Sequence, residues 1–219
     1  MSSPQKTLLI AGHAPGLGQA LMQTFEAAGY AVVGVSRQGD WATDLRDPQA
    51  TAALFDRLGR ERPPLAGVVH NAMQFHRQDF LSTTPETLQS VWASMVLTAF
   101  NVSQQAVPRL QAQGGGALIF SGASGSLRAG PKFSAFSSAK FALRGLVQAL
   151  AREHESDGIH VAHVVIDGLI RSERTAQRFA TADAAALIEP QDLALQYLQL
   201  FEQRKSSWTH ELDVRPMAA

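Results

Sequence analysis

The sequence predicts an α/β fold in which helices cover both faces of a doubly wound, mostly parallel sheet. Two observations support this prediction. Short segments of continuous apolar residues recur along the chain, which is typical of strands buried on both faces. Segments with apolar residues at helical spacing lie between them. The chain has 219 residues, 45% of them hydrophobic, and no internal repeat or linker, so residues 1–219 are predicted to form a single domain.

Seven short segments are predicted to be strands, and most of them are largely apolar; the third is weak. Ligands of a doubly wound sheet bind outside the carboxyl ends of its strands, so the residues that follow each strand are candidates for a site. In chain order the predicted strands span Thr7–Ala11, Ala31–Val35, about Ala42–Leu45, Leu65–His70, Gly116–Phe120, Ile159–Ile166 and Thr209–Val214.

The helices are predicted from apolar spacing and from end signals. In the first helix, Leu17, Leu21 and Phe25 share one face, and Gly29 follows as a cap. Thr84 and Pro85 are typical of an N-cap and a first helical position. The predicted helices span Leu17–Ala28, Pro48–Arg60, a long segment from Pro85, Ser134 to about Glu155, and Pro190–Gln203.

Composition excludes several classes of function. Nineteen Lys and Arg balance nineteen Asp and Glu, which argues against nucleic-acid binding through a basic excess and against a polybasic membrane anchor. Cysteine is absent, so disulfides and thiolate catalysis are excluded. The seven histidines lack metal-ligand spacing, and we predict no metal site. No apolar run approaches the roughly 20 residues that span a bilayer, and no signal-peptide pattern is present. We expect a cytoplasmic protein that acts on a small molecule.

A glycine-rich turn follows the first predicted strand. It reads Gly12-x-x-x-Gly16-Leu17-Gly18 and leads into the first helix. The first glycine permits a tight turn, the second lets the backbone approach a pyrophosphate, and the third lets the helix pack closely on the sheet. The helix N-terminus adds amide donors and a positive dipole end. This context predicts dinucleotide binding.

Ser36 and Arg37 follow the second predicted strand. An acidic residue at this point usually holds the 2′-hydroxyl of NAD, whereas an arginine accommodates the 2′-phosphate of NADP. Arg37 therefore favours NADP. Asp40 is close enough in the sequence to leave NAD possible.

Six segments, in this order and spacing, resemble the short-chain dehydrogenase/reductase family. The resemblance implies a Rossmann-like domain that binds a nicotinamide cofactor and forms a homo-oligomer, a dimer or tetramer. It places Asp44 and Leu45 at the adenine, Asn71 and Ala72 at the adenosine side, and Lys140 at the nicotinamide ribose. Beyond the sixth strand it assigns Gly168, Ile170 and Ser172 to the cofactor, the last two at the carboxamide. The six segments are Gly12–Gly18, Asp44-Leu45, His70-Asn71-Ala72, Ser121–Gly125, Lys140 and Asp167–Ser172.

The chain departs from the family where proton transfer takes place. The family motif Tyr-x-x-x-Lys reads Phe136-x-x-x-Lys140, so the ring lacks the hydroxyl that exchanges a proton with the substrate. The family serine falls on Ala123; Ser124 is the best surviving candidate, and Ser121 is a second. By the same alignment, Met95 and Met73 replace an asparagine of the proton relay and a glycine beside the cofactor.

These features lead to two hypotheses. In the first, the protein is an NADP-preferring oxidoreductase that moves a hydride to or from a carbonyl, an alcohol or an activated alkene. Lys140 would orient the ribose, Ser124 would polarise the substrate, and water or His76 would move the proton. A surface-loop role is the competing interpretation of His76. In the second hypothesis, the protein is a catalytically impaired nucleotide-binding sensor or partner subunit. Residues 168–189 are predicted to form a short substrate loop.

Overall fold

The computed structural model describes residues 5–180, 183 and 186–217. The strands are β1 (Thr7–Ala11), β2 (Ala31–Val35), β3 (Leu65–His70), β4 (Gly116–Ser121), β5 (Ile159–Ile166), β6 (Leu169–Ile170), β7 (Leu187–Ile188) and β8 (Glu211–Val214). The α-helices are α1 (Leu17–Ala27), α2 (Pro48–Glu61), α3 (Pro85–Trp92), α4 (Thr98–Gln111), α5 (Ser134–His154), α6 (Glu173–Arg178) and α7 (Pro190–Phe201).

Six strands form one parallel sheet in the order β2-β1-β3-β4-β5-β8. This confirms the predicted α/β, doubly wound fold. The chain moves outward from β1 to β2 and then returns to place β3 on the other side of β1. The order therefore reverses between β1 and β3, and ligands of such sheets bind at this switch point.

The prediction of a strand near Ala42–Leu45 was wrong. The segment is irregular, although Thr43 N donates to the Ser36 carbonyl at 2.8 Å. Six residues separate Val35 from Ala42, whereas a parallel neighbour needs a crossover of about a dozen or more. The segment instead leads into α2, whose first amides are capped by the Asp47 carboxylate at 2.8 and 3.3 Å. β2 consequently forms one edge of the sheet.

The core consists of two apolar layers, one on each face of the sheet. Alternate residues of β1 enter different layers: Leu9 and Ala11 pack in one, and Leu8 and Ile10 in the other. The first layer includes residues of α2, α4 and α5, and the second includes residues of α1 and α7. Continuous apolar strands are therefore buried on both faces, as predicted.

The long helix that begins at Pro85 contains a π-helical turn over Ala93–Leu97. Thr84 caps its start, because its Oγ1 accepts from Thr87 N at 3.2 Å. Such turns insert a residue into an α-helix and are frequent beside functional sites. Here the turn separates α3 from α4 and lies beside the cleft described below. No helix in the described part of the chain is long and apolar enough to cross a membrane.

Candidate active site

A cleft of about 2070 Å³ opens at the carboxyl ends of the strands, where the switch point lies. Its volume exceeds the roughly 300–1,000 Å³ typical of a pocket for one drug-sized ligand, so it has room for a dinucleotide and a second molecule. The segments that follow β1, β2, β3, β4 and β5 all contribute to its walls, as the sequence predicted from the topology.

The glycine loop forms one end of the cleft. Gly12 has φ +92°, and a Cβ there would lie 2.3 Å from Ala72 N, so the turns after β1 and β3 meet backbone to backbone. Gly16 has φ +94°. In the same loop, the buried Nε2 of His13 lacks a hydrogen-bond partner in the described structure. An open glycine backbone beside a helix N-terminus fits a pyrophosphate.

Replacing Gly12 with alanine is expected to lower the melting temperature by about 10 °C or more. The new Cβ would be strained by the positive φ and would overlap the Ala72 backbone. Gly29→Ala is the matched control, because Gly29 has φ +93° but nothing within 4 Å of its Cβ position. We expect a loss of only about 2–8 °C there. Equal losses, measured by differential scanning calorimetry, would show that the close approach to Ala72 does not matter.

Two arginines, Arg37 and Arg46, line the part of the cleft formed by the segment that follows β2. Arg37 is exposed, lines the cleft and forms no ion pair with any described carboxylate. Asp40 does not line the cleft. Asp44 does, but its carboxylate is bound by Arg46 at 2.6 Å, and this hydrogen bond holds the Asp44 pKa at about 2. The end of the cleft near Arg37 therefore carries an unneutralised positive charge.

Leu45 and Asn71 take part in hydrogen bonds that tie together the loops around the cleft. Leu45 is buried, and its carbonyl accepts from Asn101 Nδ2 at 3.0 Å. Asn71 joins the two central turns, because its amide N donates to the Ala11 carbonyl at 2.7 Å and its Nδ2 donates to the Gly12 carbonyl at 3.3 Å. Asn101 was not predicted to contribute to the site, since nothing in the sequence shows that its side chain reaches a loop 56 residues away.

Phe136 lines the inner part of the cleft and is 8% exposed. Its ring lies beside Gly125, whose Cβ position is 3.2 Å from Phe136 Cε1. Ser124 also lines the cleft, and its hydroxyl helps to lower the pKa of the Asp167 carboxyl. Arg128 binds the same carboxylate at 2.8 Å and lowers its pKa. The structure thus brings Phe136 and Ser124 to one cleft.

Lys140 lies beneath this region and is not among the residues that line the cleft. It is 1% exposed; Nζ donates to the Ser121 carbonyl at 2.7 Å and lies 5.8 Å from the centroid of the Phe136 ring. Burial lowers its pKa to about 8. Burial and the Lys140 charge together lower the pKa of His70 to about 3, so His70 is neutral. Contact of Lys140 with a cofactor ribose stays a prediction.

The two tyrosines of the chain are both engaged elsewhere. Tyr197 is fully buried, and its hydroxyl bonds Ser121 Oγ at 2.7 Å. Tyr30 precedes β2, and its hydroxyl bonds Glu202 at 3.2 Å. Neither lines the cleft, so neither supplies the hydroxyl that Phe136 lacks.

His76 belongs to a smaller pocket of about 440 Å³ that adjoins the cleft. The two share Phe75, Arg178 and Phe179. His76 itself does not line the main cleft, and its catalytic role stays a prediction.

The segment after β5 covers the glycine loop. Gly168, Ile170 and Ser172 all line the cleft. Ser172 caps α6 through a hydrogen bond from Thr175 N at 3.1 Å, and its Cβ lies 3.3 Å from the Cβ position of Gly16. The predicted substrate loop therefore contains α6 and the parallel pair β6–β7.

A polar group at the π-helical turn, formed by Gln74, Ser90 and Ser94, was also not predicted from the sequence. Gln74 Oε1 accepts from Ser90 Oγ at 3.1 Å and from Ser94 Oγ at 2.9 Å, and all three residues line the cleft. The carbonyl of this amide is thereby held, and its NH₂ group is free to donate.

In the described residues no three His, Asp or Glu side chains are grouped to hold a metal ion.

Comparisons with known proteins agree with this geometry. The sequence model of a family described as short chain dehydrogenase matches residues 6–183. A 3alpha-hydroxysteroid dehydrogenase of Mediterraneibacter gnavus is 28% identical over 176 residues, which cover 77% of this chain and 70% of that protein. A short-chain dehydrogenase structure from Rhodopseudomonas palustris is 28% identical, with a TM-score of 0.83 over 96% of this chain and 98% of that one. The L-sorbose reductase of Gluconobacter frateurii, solved with NADPH and L-sorbose, is 22% identical, with a TM-score of 0.87 over 99% and 97% of the two chains.

Proposed function

The chain belongs to the short-chain dehydrogenase family and is an oxidoreductase of that type, and from this premise we propose that it prefers NADP and has a non-standard active site. Its substrate is a carbonyl compound, an alcohol or an activated alkene. The observation that carries the cofactor assignment is the cleft at the switch point, where Gly12 and Gly16 leave the backbone open and Arg37 supplies a free positive charge. The NADPH bound to the sorbose reductase supports the same assignment.

In the reduction of a ketone, NADPH would supply, when bound, a hydride to the carbonyl carbon, and the carbonyl oxygen would then need a proton. We assign Ser124, which lines the cleft, to polarise this oxygen. To do so, its hydroxyl turns toward the substrate and away from Asp167, whose pKa it helps to lower. Arg128 lowers the cost of this change, because it continues to neutralise Asp167 at 2.8 Å. The proton comes from water in the open cleft or from His76, since Phe136 has none to give.

The proposed function is tested first by binding. The purified protein is titrated with NADPH and, separately, with NADH, and cofactor fluorescence is followed. We expect saturable binding with a preference for NADPH. Failure to bind either dinucleotide would overturn the proposal. Tight binding without turnover of any ketone, alcohol or enone would favour a nucleotide-binding sensor over an enzyme.

Arg37→Ala is expected to weaken NADPH binding by about 10- to 100-fold and to leave NADH binding nearly unchanged. A charge-assisted hydrogen bond is worth about 1.5–3 kcal/mol, and the 2′-phosphate is present only in NADPH. Arg152→Ala is the control, because Arg152 is exposed and lies outside the cleft lining, and it should leave both affinities unchanged. Parallel losses for both dinucleotides in the Arg37 variant would contradict the assignment of Arg37.

A further inference from the structure

The inner end of the cleft has a wall of four phenyl rings. Phe75 is at its centre, with ring centroids at 5.8 Å from Phe133, 5.5 Å from Phe136 and 6.0 Å from Phe179. All four side chains line the cleft. Rings at these separations stabilise one another by edge-to-face and tilted contacts, so the orientations of the four rings are fixed by their packing. It suits the face of a flat, apolar ring.

Arg178 lies on this wall. Its guanidinium carbon is 4.7 Å from the centroid of the Phe75 ring, and the residue is exposed. Unlike Arg46 and Arg128, which are held by Asp44 and Asp167, Arg178 forms no ion pair with a carboxylate in the described structure. The ring contact fixes the plane of the guanidinium and leaves its N–H donors available for a bidentate anion.

The pocket that adjoins the wall is also cationic. It is lined by Phe75, His76, Arg77, Gln78, Arg178 and Phe179, which include two arginines and no acidic residue. Arg77 packs over Phe133 at 5.7 Å. The nearest acidic residue in the sequence, Asp79, is engaged by Lys132 at 3.2 Å. An anionic group in this pocket would meet positive charge only.

The pocket belongs to the substrate end of the cleft. Ser172, which caps the first turn of α6, lies against Gly16 of the phosphate loop, whereas Arg178 is the last residue of that helix. Six helical residues advance by about 9 Å, so Arg178 is held away from the pyrophosphate and close to Phe136 through Phe75.

From these four observations we infer that the substrate is a flat ring compound that carries its reacting carbonyl or alkene next to the ring and a carboxylate at its far end. The ring lies on the phenyl wall, and the carboxylate enters the adjoining pocket and binds Arg178. This inference rests on the proposed function, because it needs a nicotinamide to occupy the rest of the cleft.

The test compares two probes that differ in charge and little in shape, 4-acetylbenzoate and 4-acetylbenzamide. Each is titrated by calorimetry into protein saturated with NADP, and each is assayed for NADPH-dependent reduction. We expect the acid to bind about 10- to 100-fold more tightly than the amide, as a charge-assisted pair requires. Arg178→Gln should remove this difference and leave the affinity for NADP unchanged.

Arg174→Gln is the matched control, because Arg174 is exposed on the same helix and lines the cleft. It should retain the preference for the acid. Equal affinity of the wild type for acid and amide, no binding of either, or a preference that survives Arg178→Gln would overturn the inference. A separate titration of NADP into each protein distinguishes the two proposals: failure of the wild type to bind NADP refutes the proposed function, whereas normal NADP binding without charge discrimination refutes the pocket assignment.

Discussion

Phe136→Tyr is expected to raise kcat/KM for NADPH-dependent ketone reduction by about 10²- to 10⁴-fold, the usual contribution of a positioned general acid. The ring lines the cleft, and the Lys140 ammonium lies 5.8 Å from its centroid. A nearby positive charge lowers the pKa of a phenol and makes it a better proton donor. The added hydroxyl would therefore restore the missing proton-transfer group.

Phe133→Tyr is the matched control for this gain. Its ring belongs to the same wall, 6.3 Å from that of Phe136, but it has Arg77 over its face instead of Lys140. A gain confined to the Phe136 variant would support its assignment to the position of the family tyrosine. If the variant bound NADPH normally and showed no gain on any ketone, Phe136 would not occupy that position, or the substrate would not be a carbonyl compound.

Lys140→Met is expected to abolish a rise in stability with pH that the wild type shows between about pH 8 and pH 10. Burial lowers the pKa of Lys140 from 10.5 to about 8 in the folded protein. Between these values the unfolded chain binds a proton that the native protein does not, so the free energy of unfolding rises with pH. At about 1.4 kcal/mol for each pH unit of full proton difference, the gain between pH 8 and pH 10 is about 2 kcal/mol.

The measurement is urea unfolding at intervals from pH 7 to pH 10. Lys6→Met is the control, because Lys6 is exposed, and it should keep the wild-type slope. The upper limit matters because the pKa of Tyr30 is raised to about 12, and this shift reduces stability as the pH rises above 10. A wild-type slope equal to that of Lys140→Met would show that the buried ammonium is compensated by groups other than the Ser121 carbonyl.

Much of the fold could be predicted because its signals are local. Leu65–His70 and Ile159–Ile166 are continuous apolar segments, and both are strands with these bounds in the structure. Thr84 and Pro85 mark a helix start, and the helix begins there. The strand predicted near Ala42–Leu45 is absent from the structure. Its apolar residues favoured a strand, but the connection from β2 is too short for a parallel neighbour.

The candidate site was predicted in part. The glycine loop, Arg37 and Phe136 were found because their spacing in the sequence carries the pattern, and the structure brings them to one cleft. Gln74 and Arg178 were not predicted, because contacts with other elements orient their side chains. Gln74 is held by two hydroxyls at the π-helical turn, and Arg178 lies over the Phe75 ring.

The sequence alone is sufficient to predict the class of fold, the strand ends that line the candidate cleft, and the absence of a hydroxyl at Phe136. These follow from hydrophobic periodicity, glycine spacing and side-chain identity, which need no knowledge of distant contacts. Only the folded structure shows that Lys140 is buried against the Ser121 carbonyl and that four phenyl rings form one wall. It also shows that Arg46 neutralises Asp44, whereas Arg178 forms no ion pair with a carboxylate among the described residues. Burial, ion pairing and ring packing depend on which helices, strands and loops contact one another. Those contacts join residues that are far apart in the sequence.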